Sequence, residues 1–169
     1  MSNKIFQNYY ELLKKIGSGS FGDVYMCKDI EKDIIMASKV EDLKGSNTKL
    51  ELERKLYGRL HKSKNEYVPK IYNFIKTKKY HIMNMELLGK SLDKIFYDNN
   101  NKFDIGTVLK LGIEFVNILE SLHECNIIHR DIKPNNFMIG LDDEKKVYIM
   151  DFGLAKIFIK NNKHISYKT

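Results

Sequence analysis

The sequence predicts an α+β fold in two parts, the first β-rich with one key helix and the second mainly helical. Three observations carry this. From about Tyr9 to Met85, short β-branched and aromatic runs alternate with turn residues, and one charged segment of helical spacing interrupts them. From Glu86 onward the apolar spacing becomes helical, most clearly after Asp104. The junction from Glu86 to Gly89 is short and reads as a hinge, with residues 1–86 and 87–169 as two lobes and a cleft between them.

In chain order, Ile16 to Gly22 is a glycine-serine turn between two strand-like runs, the second being Asp23-Val24-Tyr25-Met26-Cys27. Ile34 to Val40 reads as a third strand. Leu50 to Leu60 places Leu52, Leu56 and Leu60 at helical spacing, with Glu51, Glu53, Arg54 and Lys55 on the polar face. The stretches from Val68 to Tyr72 and from Tyr80 to Met85 read as further strands. Asp104 suits the N-cap of a helix running to about His123, whose apolar face is Val108, Leu111, Phe115, Ile118, Leu119 and Leu122. Short strand-like pieces follow near Phe137 to Ile139 and Val147 to Met150, and Asn99-Asn100-Asn101 is a loop signal.

Composition bounds the function without choosing it. Hydrophobic residues make up 43% and charged residues 30% of 169, the balance of an ordinary globular protein. Lys and Arg outnumber Asp and Glu by 29 to 22, a net charge of +7 that suits polyanionic partners. The basic residues are scattered, so nucleic acid is not the expected partner. Two cysteines, Cys27 and Cys125, suggest a reducing compartment rather than a disulfide framework. No signal peptide or membrane-length apolar run is visible, so the expectation is a soluble intracellular monomer, cytoplasmic or nuclear.

Gly17-Ser18-Gly19-Ser20-Phe21-Gly22 fits G-x-G-x-x-G, and Val24 extends it to G-x-G-x-x-G-x-V. A dinucleotide fingerprint needs a helix after the third glycine, whereas Val24-Tyr25-Met26-Cys27 is strand-like. The pattern suits a hairpin flap that lays backbone amides over nucleotide phosphates, where a Cβ would obstruct the approach. Gly89-Lys90-Ser91 is not a second phosphate loop, because a P-loop needs a glycine five residues before Gly89 and position 84 is Asn.

Lys39 ends the strand-like Met36-Ala37-Ser38-Lys39. A lone strand lysine is normally a solvated edge residue, but one that follows a phosphate flap is a candidate phosphate ligand, with Ala37 keeping the wall beside it thin. Glu53 is the natural residue to hold it, and Glu51 on the same segment competes. His129-Arg130-Asp131-Ile132-Lys133-Pro134-Asn135-Asn136 fits H-R-D-x-K-P-x-N, with five residues from Asp to Asn. Asp131 can accept the proton of an attacking hydroxyl. Lys133 can neutralise charge developing on a transferred phosphoryl group, and Asn136 offers a hard oxygen to magnesium. Fifteen residues after Asn136, Asp151-Phe152-Gly153 follows an apolar run and supplies a second magnesium ligand, Asp151.

In this order and spacing the motifs resemble a protein kinase, and more narrowly a casein kinase I-like serine/threonine kinase, over nearly the whole chain. Lys15 to Tyr25 is similar to that family's flap, Met85 to Leu92 to its hinge, and Ile128 to Gly140 to its catalytic loop. Asp151 to Lys156 and His164 to Tyr167 continue the similarity. The resemblance implies a kinase-like fold, Mg2+ and ATP as cofactors, and transfer of the γ-phosphoryl group to Ser or Thr of acidic or already phosphorylated proteins. It makes Met85 the gatekeeper, gives Glu86 and Leu88 hinge hydrogen bonds to adenine, and lines the pocket with Ile16, Val24, Ala37, Met138 and Met150. Lys133 favours Ser/Thr over Tyr transfer.

Three departures stand out. Ser38 replaces an aliphatic residue, Asn135 replaces the family's common Asp, and the sequence ends at Thr169, 18 residues after Asp151. The last implies an incomplete C-lobe that stops inside the activation segment. The alternative is accordingly a non-catalytic kinase-like module that binds ATP or a protein partner. The intact set Lys39, Asp131, Asn136 and Asp151 favours the enzyme.

Overall fold

A computed structural model describes residues 4–6, 9–19, 22–43 and 48–166. Ser20 and Phe21 of the flap, and Tyr167, lie outside the described residues. The chain divides into two compact units, Met1–Lys55 with Pro69–Leu88, and Leu56–Val68 with Gly89–Thr169.

The first unit is built on an antiparallel sheet. Its strands are β1 (Lys4–Phe6), β2 (Tyr10–Gly19), β3 (Gly22–Asp29), β4 (Ile34–Asp42), β5 (Ile71–Lys76) and β6 (Tyr80–Met85), in the order β1-β2-β3-β4-β6-β5. The first half of helix α1 (Lys49–Lys62) belongs to the same unit. Ser38 and Asn84 are fully buried opposite one another on β4 and β6. Ser38 Oγ donates to Asn84 Oδ1 at 2.5 Å, Asn84 Nδ2 to Asn73 Oδ1 at 3.0 Å, and Asn73 Nδ2 to the Tyr10 hydroxyl at 2.7 Å. β2 and β5 are not neighbours in the strand order, so this relay requires the sheet to curl. Ser38 therefore has a structural reason: an aliphatic side chain would leave the buried Asn84 carbonyl without this donor.

Two readings of the sequence change here. Leu52 is 60% exposed, and the buried stripe of α1 runs through Leu50, Glu53, Leu56, Tyr57 and Leu60. Glu53 thus faces inward, which a polar-face assignment hides, because Lys39 compensates its charge. Val68 to Lys70 are not strand. Pro69 has no amide to give a ladder, and β5 begins only at Ile71.

The second unit contains the rest of α1, α2 (Leu92–Asp98), α3 (Ile105–Glu124), and the short strands β7 (Ile127–Ile128), β8 (Phe137–Ile139) and β9 (Val147–Ile149). β10 (Lys156–Ile157) pairs with β7, and β11 (Ile159–Lys160) with β12 (Lys163–His164). Asp104 caps α3 by accepting from the Thr107 amide at 3.0 Å. Ile118 and Leu122 are fully buried, and Phe115 stacks on Phe137 with centroids 4.2 Å apart. Val108, expected on the same apolar face, is 47% exposed, because the helix buries mainly its second half. Arg59 of α1 donates to the Cys125 carbonyl at 2.7 Å. No helix among the described residues is long and apolar enough to cross a membrane.

Candidate active site

In the first unit the register of the sheet gathers the flap and the strand lysine. Gly17 opposes Val24 between β2 and β3, Val24 opposes Lys39 between β3 and β4, and Ala37 opposes Met85 between β4 and β6. Residues paired across a ladder share a face, as do residues two apart. Val24, Ala37, Lys39 and Met85 are therefore on one face. Gly19 opposes Gly22 at the described end of the hairpin. Gly22 has φ +134°, and a Cβ there would collide with the Val40 carbonyl oxygen, so only glycine fits.

Asp23 braces the flap from β3. It accepts from Ser18 Oγ at 2.8 Å and pairs with Lys15 at 2.7 Å. The Lys15 ammonium, followed by the Ser18 hydroxyl, holds its carboxyl below the usual range. Ile16 is 43% exposed beside this brace.

Lys39 is only 8% exposed, and its Nζ lies 2.7 Å from Glu53 Oε2. Glu51, the competing partner, is held instead by Lys76 at 3.0 Å and Lys55 at 3.9 Å. Met85 and Leu88 are buried. Glu86 donates its amide to the Lys70 carbonyl at 2.8 Å, while its carboxylate accepts from the Lys70 amide at 3.0 Å.

In the second unit a single turn concentrates the polar groups. Pro134 begins the 3-10 turn Pro134–Asn136, where its fixed φ is already suitable and its missing amide costs nothing. Asp131 Oδ2 accepts from Lys133 Nζ at 2.7 Å and from Asn136 Nδ2 at 3.0 Å. Asn136 Nδ2 also reaches the Asp131 carbonyl at 2.7 Å, so the amide oxygen of Asn136 keeps its acceptor capacity. The hydrogen bond from Lys133, the largest influence, holds the Asp131 carboxyl below the ordinary range, and Asp131 in turn raises Lys133. Asp131 is accordingly ionised at neutral pH.

The Asp151 strand end is tied to this turn through the backbone. Met150 donates its amide to the Asn136 carbonyl at 2.8 Å, and the Met150 carbonyl meets His129 Nε2 at 2.8 Å. Asp151 itself has φ +64°, a left-handed conformation that non-glycine residues adopt only when their neighbours hold them there. Met138 opposes Tyr148 in the β8–β9 hairpin and is half-buried, as is Met150.

Several supporting residues escaped the sequence reading. Glu41 reaches the start of α1, Tyr57 packs on Phe152, and Asp93 accepts from Asn135 at 2.6 Å. Helical spacing already placed Tyr57 four residues after Glu53. Nothing local pointed to Glu41 or Asp93. Among the described residues no group of three His, Cys, Asp or Glu side chains could hold a metal, so any ion here would rely on few protein ligands. A family model, the protein kinase domain, matches residues 10–169. With its curled β-sheet, buried Lys39–Glu53 pair and Asp131 turn, this α+β chain belongs to the protein kinase domain family.

Proposed function

We propose that the chain is a serine/threonine protein kinase of the casein kinase I-like branch, acting on acidic or already phosphorylated proteins. The observation that carries this is the Asp131 turn, where one ionised carboxylate is held by Lys133 and Asn136 within 3.0 Å. That arrangement aims a base while keeping a cation beside it, as phosphoryl transfer to a hydroxyl needs.

The residues suit a magnesium nucleotide. The flap is bare of Cβ atoms at Gly17, Gly19 and Gly22, and Lys39 presents an ammonium that is buried and already oriented by Glu53. In this reading Ser18, Ser20 and Phe21 complete the flap, and Ile16, Val24, Ala37, Met85, Met138 and Met150 line the adenine pocket. Glu86 would meet adenine through its carbonyl, its amide being engaged by Lys70, and Leu88 through its backbone. Asn136 and Asp151 would hold Mg2+, a hard cation that keeps water and phosphate oxygens as its other ligands. Bound Mg-ATP supplies the phosphoryl group and an anionic leaving group. Asp131 would then orient the Ser or Thr hydroxyl and take its proton, Lys133 would offset charge on the phosphoryl oxygens, and Lys39 would steady the non-transferred phosphates. The surplus of basic residues accords with acidic substrates.

The test is phosphate transfer from labelled Mg-ATP to casein by the 169-residue chain and its Asp131→Asn variant. Transfer by the parent, lost in the variant with nucleotide binding retained, is the expected result. A well-folded parent that binds Mg-ATP without transferring phosphate would move the reading to a nucleotide-binding module.

A further inference from the structure

β4 grips α1 at two points, two residues apart on one face of the strand. Lys39 pairs with Glu53. Glu41 reaches the beginning of the helix, where its Oε1 accepts from the Lys49 amide at 2.8 Å and the Leu50 amide at 3.2 Å. First-turn amides have no partner inside a helix, and a negative charge there also complements the helix dipole. A carboxylate from a neighbouring strand therefore serves as the N-cap of α1.

The other oxygen of Glu41 is unmet among the described residues. Glu41 and His81 are each 7% exposed. Among the described residues, Oε2 of Glu41 and Nδ1 of His81 are both buried without a hydrogen-bond partner, and they lie 3.5 Å apart. A neutral imidazole with its proton on Nε2 turns a lone pair toward the carboxylate and leaves both atoms unsatisfied, whereas one with its proton on Nδ1 offers only an uncharged donor there. A charged imidazole always carries a proton on Nδ1, and the same 3.5 Å contact then becomes an attraction between opposite charges.

The surroundings leave Glu41 as the contact partner. From β5, Phe74 lies 5.4 Å from the imidazole, and the Arg54 guanidinium covers that ring at 5.3 Å. Glu51 on α1 senses the charge of His81 but is held by Lys76 of β5 at 3.0 Å and by Lys55 at 3.9 Å. Glu53 is held by Lys39 at 2.7 Å.

We propose that Glu41 and His81 form a proton-dependent clamp on the N-terminus of α1, which holds the helix and its Glu53 most firmly when His81 is protonated. Glu41 and His81 are then positioning residues, acting on Lys39 through α1. The consequence for nucleotide affinity rests on the kinase reading above, whereas the clamp itself does not.

The experiment is amide hydrogen exchange of the 169-residue chain, read at Lys49 and Leu50 and corrected for intrinsic base catalysis. It is run at about pH 6 and about pH 8. Protection at these two amides should be about threefold to tenfold greater at the lower pH, the scale expected for linkage to one proton. His81→Phe should abolish that difference. His81→Gln, which can donate without charge, should also be insensitive to pH and serves if the Phe variant folds poorly. Equal parental protection at both pH values overturns the clamp, as does a pH difference that survives in either variant. Mg-ATP affinity is measured on the same samples. A pH-dependent clamp in a parent that binds no Mg-ATP would retain this inference and sink the nucleotide reading alone.

Discussion

The Tyr57 ring of α1 meets the Phe152 ring edge-on, with centroids 4.9 Å apart and planes at 71°, and Phe152 meets His129 at 5.0 Å. All three are buried, at 0%, 1% and 2% exposure. The stack anchors the residue that follows Asp151, and so helps to hold Asp151 in its left-handed conformation. Replacing Tyr57 by Ala removes the outer ring and opens a cavity, at a cost of about 3–5 kcal/mol in urea unfolding. Tyr57→Leu should recover much of that loss. Unfolding midpoints of Tyr57→Ala equal to the parent's would show that the stack contributes nothing.

His129 makes this stack sensitive to pH. Burial is the leading influence and pushes its imidazole below the usual histidine range, although the Met150 carbonyl opposes it. A depressed folded-state value means that the unfolded chain takes up the proton first. The stability is present above the unfolded histidine value, about 6.5, and is lost as pH falls through the lower folded one. Urea titrations between about pH 7.5 and about pH 5 should show falling stability, and His129→Phe should flatten that part of the slope. A slope unchanged in the variant would assign the pH dependence to other groups.

Local signals carried the elements that depend on local chemistry. Asp104 caps α3 because the capping contact, to the Thr107 amide, is three residues away in the chain. The strand from Tyr80 to Met85 was equally legible. Helix rotation was less so: Glu53 was the natural partner for Lys39 in the sequence but Glu51 competed, and inward packing of Leu50, Tyr57 and Leu60 is what turns Glu53 toward the lysine. The same rotation puts Leu52 outside. The motif residues were readable because H-R-D-x-K-P-x-N closes into a single turn, in which Lys133 and Asn136 need only local backbone to reach Asp131. Their supports were hidden, since Asn135 finds Asp93 across 42 residues of chain.

The Lys39–Glu53 pair separates stability from function. With side-chain exposures of 10% and 1%, removing either partner leaves a charge in a largely dry site. Lys39→Met alone, or Glu53→Leu alone, should cost about 3–5 kcal/mol. The double variant Lys39→Met with Glu53→Leu should regain most of that stability, since a packed apolar pair can replace a buried ion pair. On the kinase activity proposed above, it should not regain phosphate transfer. A double variant no more stable than the singles would argue that apolar side chains cannot pack in place of the pair.

Asn135 tests whether the common residue of similar kinases suits this chain. Its amide donates to Asp93 Oδ2 at 2.6 Å, while Asp93 Oδ1 is buried without a hydrogen-bond partner among the described residues. Asp93 is in the first turn of α2, where its charge is favourable. Asn135→Asp would exchange this donor for a second carboxylate. The variant should lose about 1–2 kcal/mol at neutral pH, more than Asn135→Ala, which removes the donor without adding charge. Two facing carboxylates favour a shared proton, so the penalty should shrink as pH falls toward about 4, where one of them can donate to the other. Urea unfolding of the parent and both variants at the two pH values decides it. Equal stabilities for Asp and Ala at neutral pH would mean that solvent screens the new repulsion and that only the donor matters.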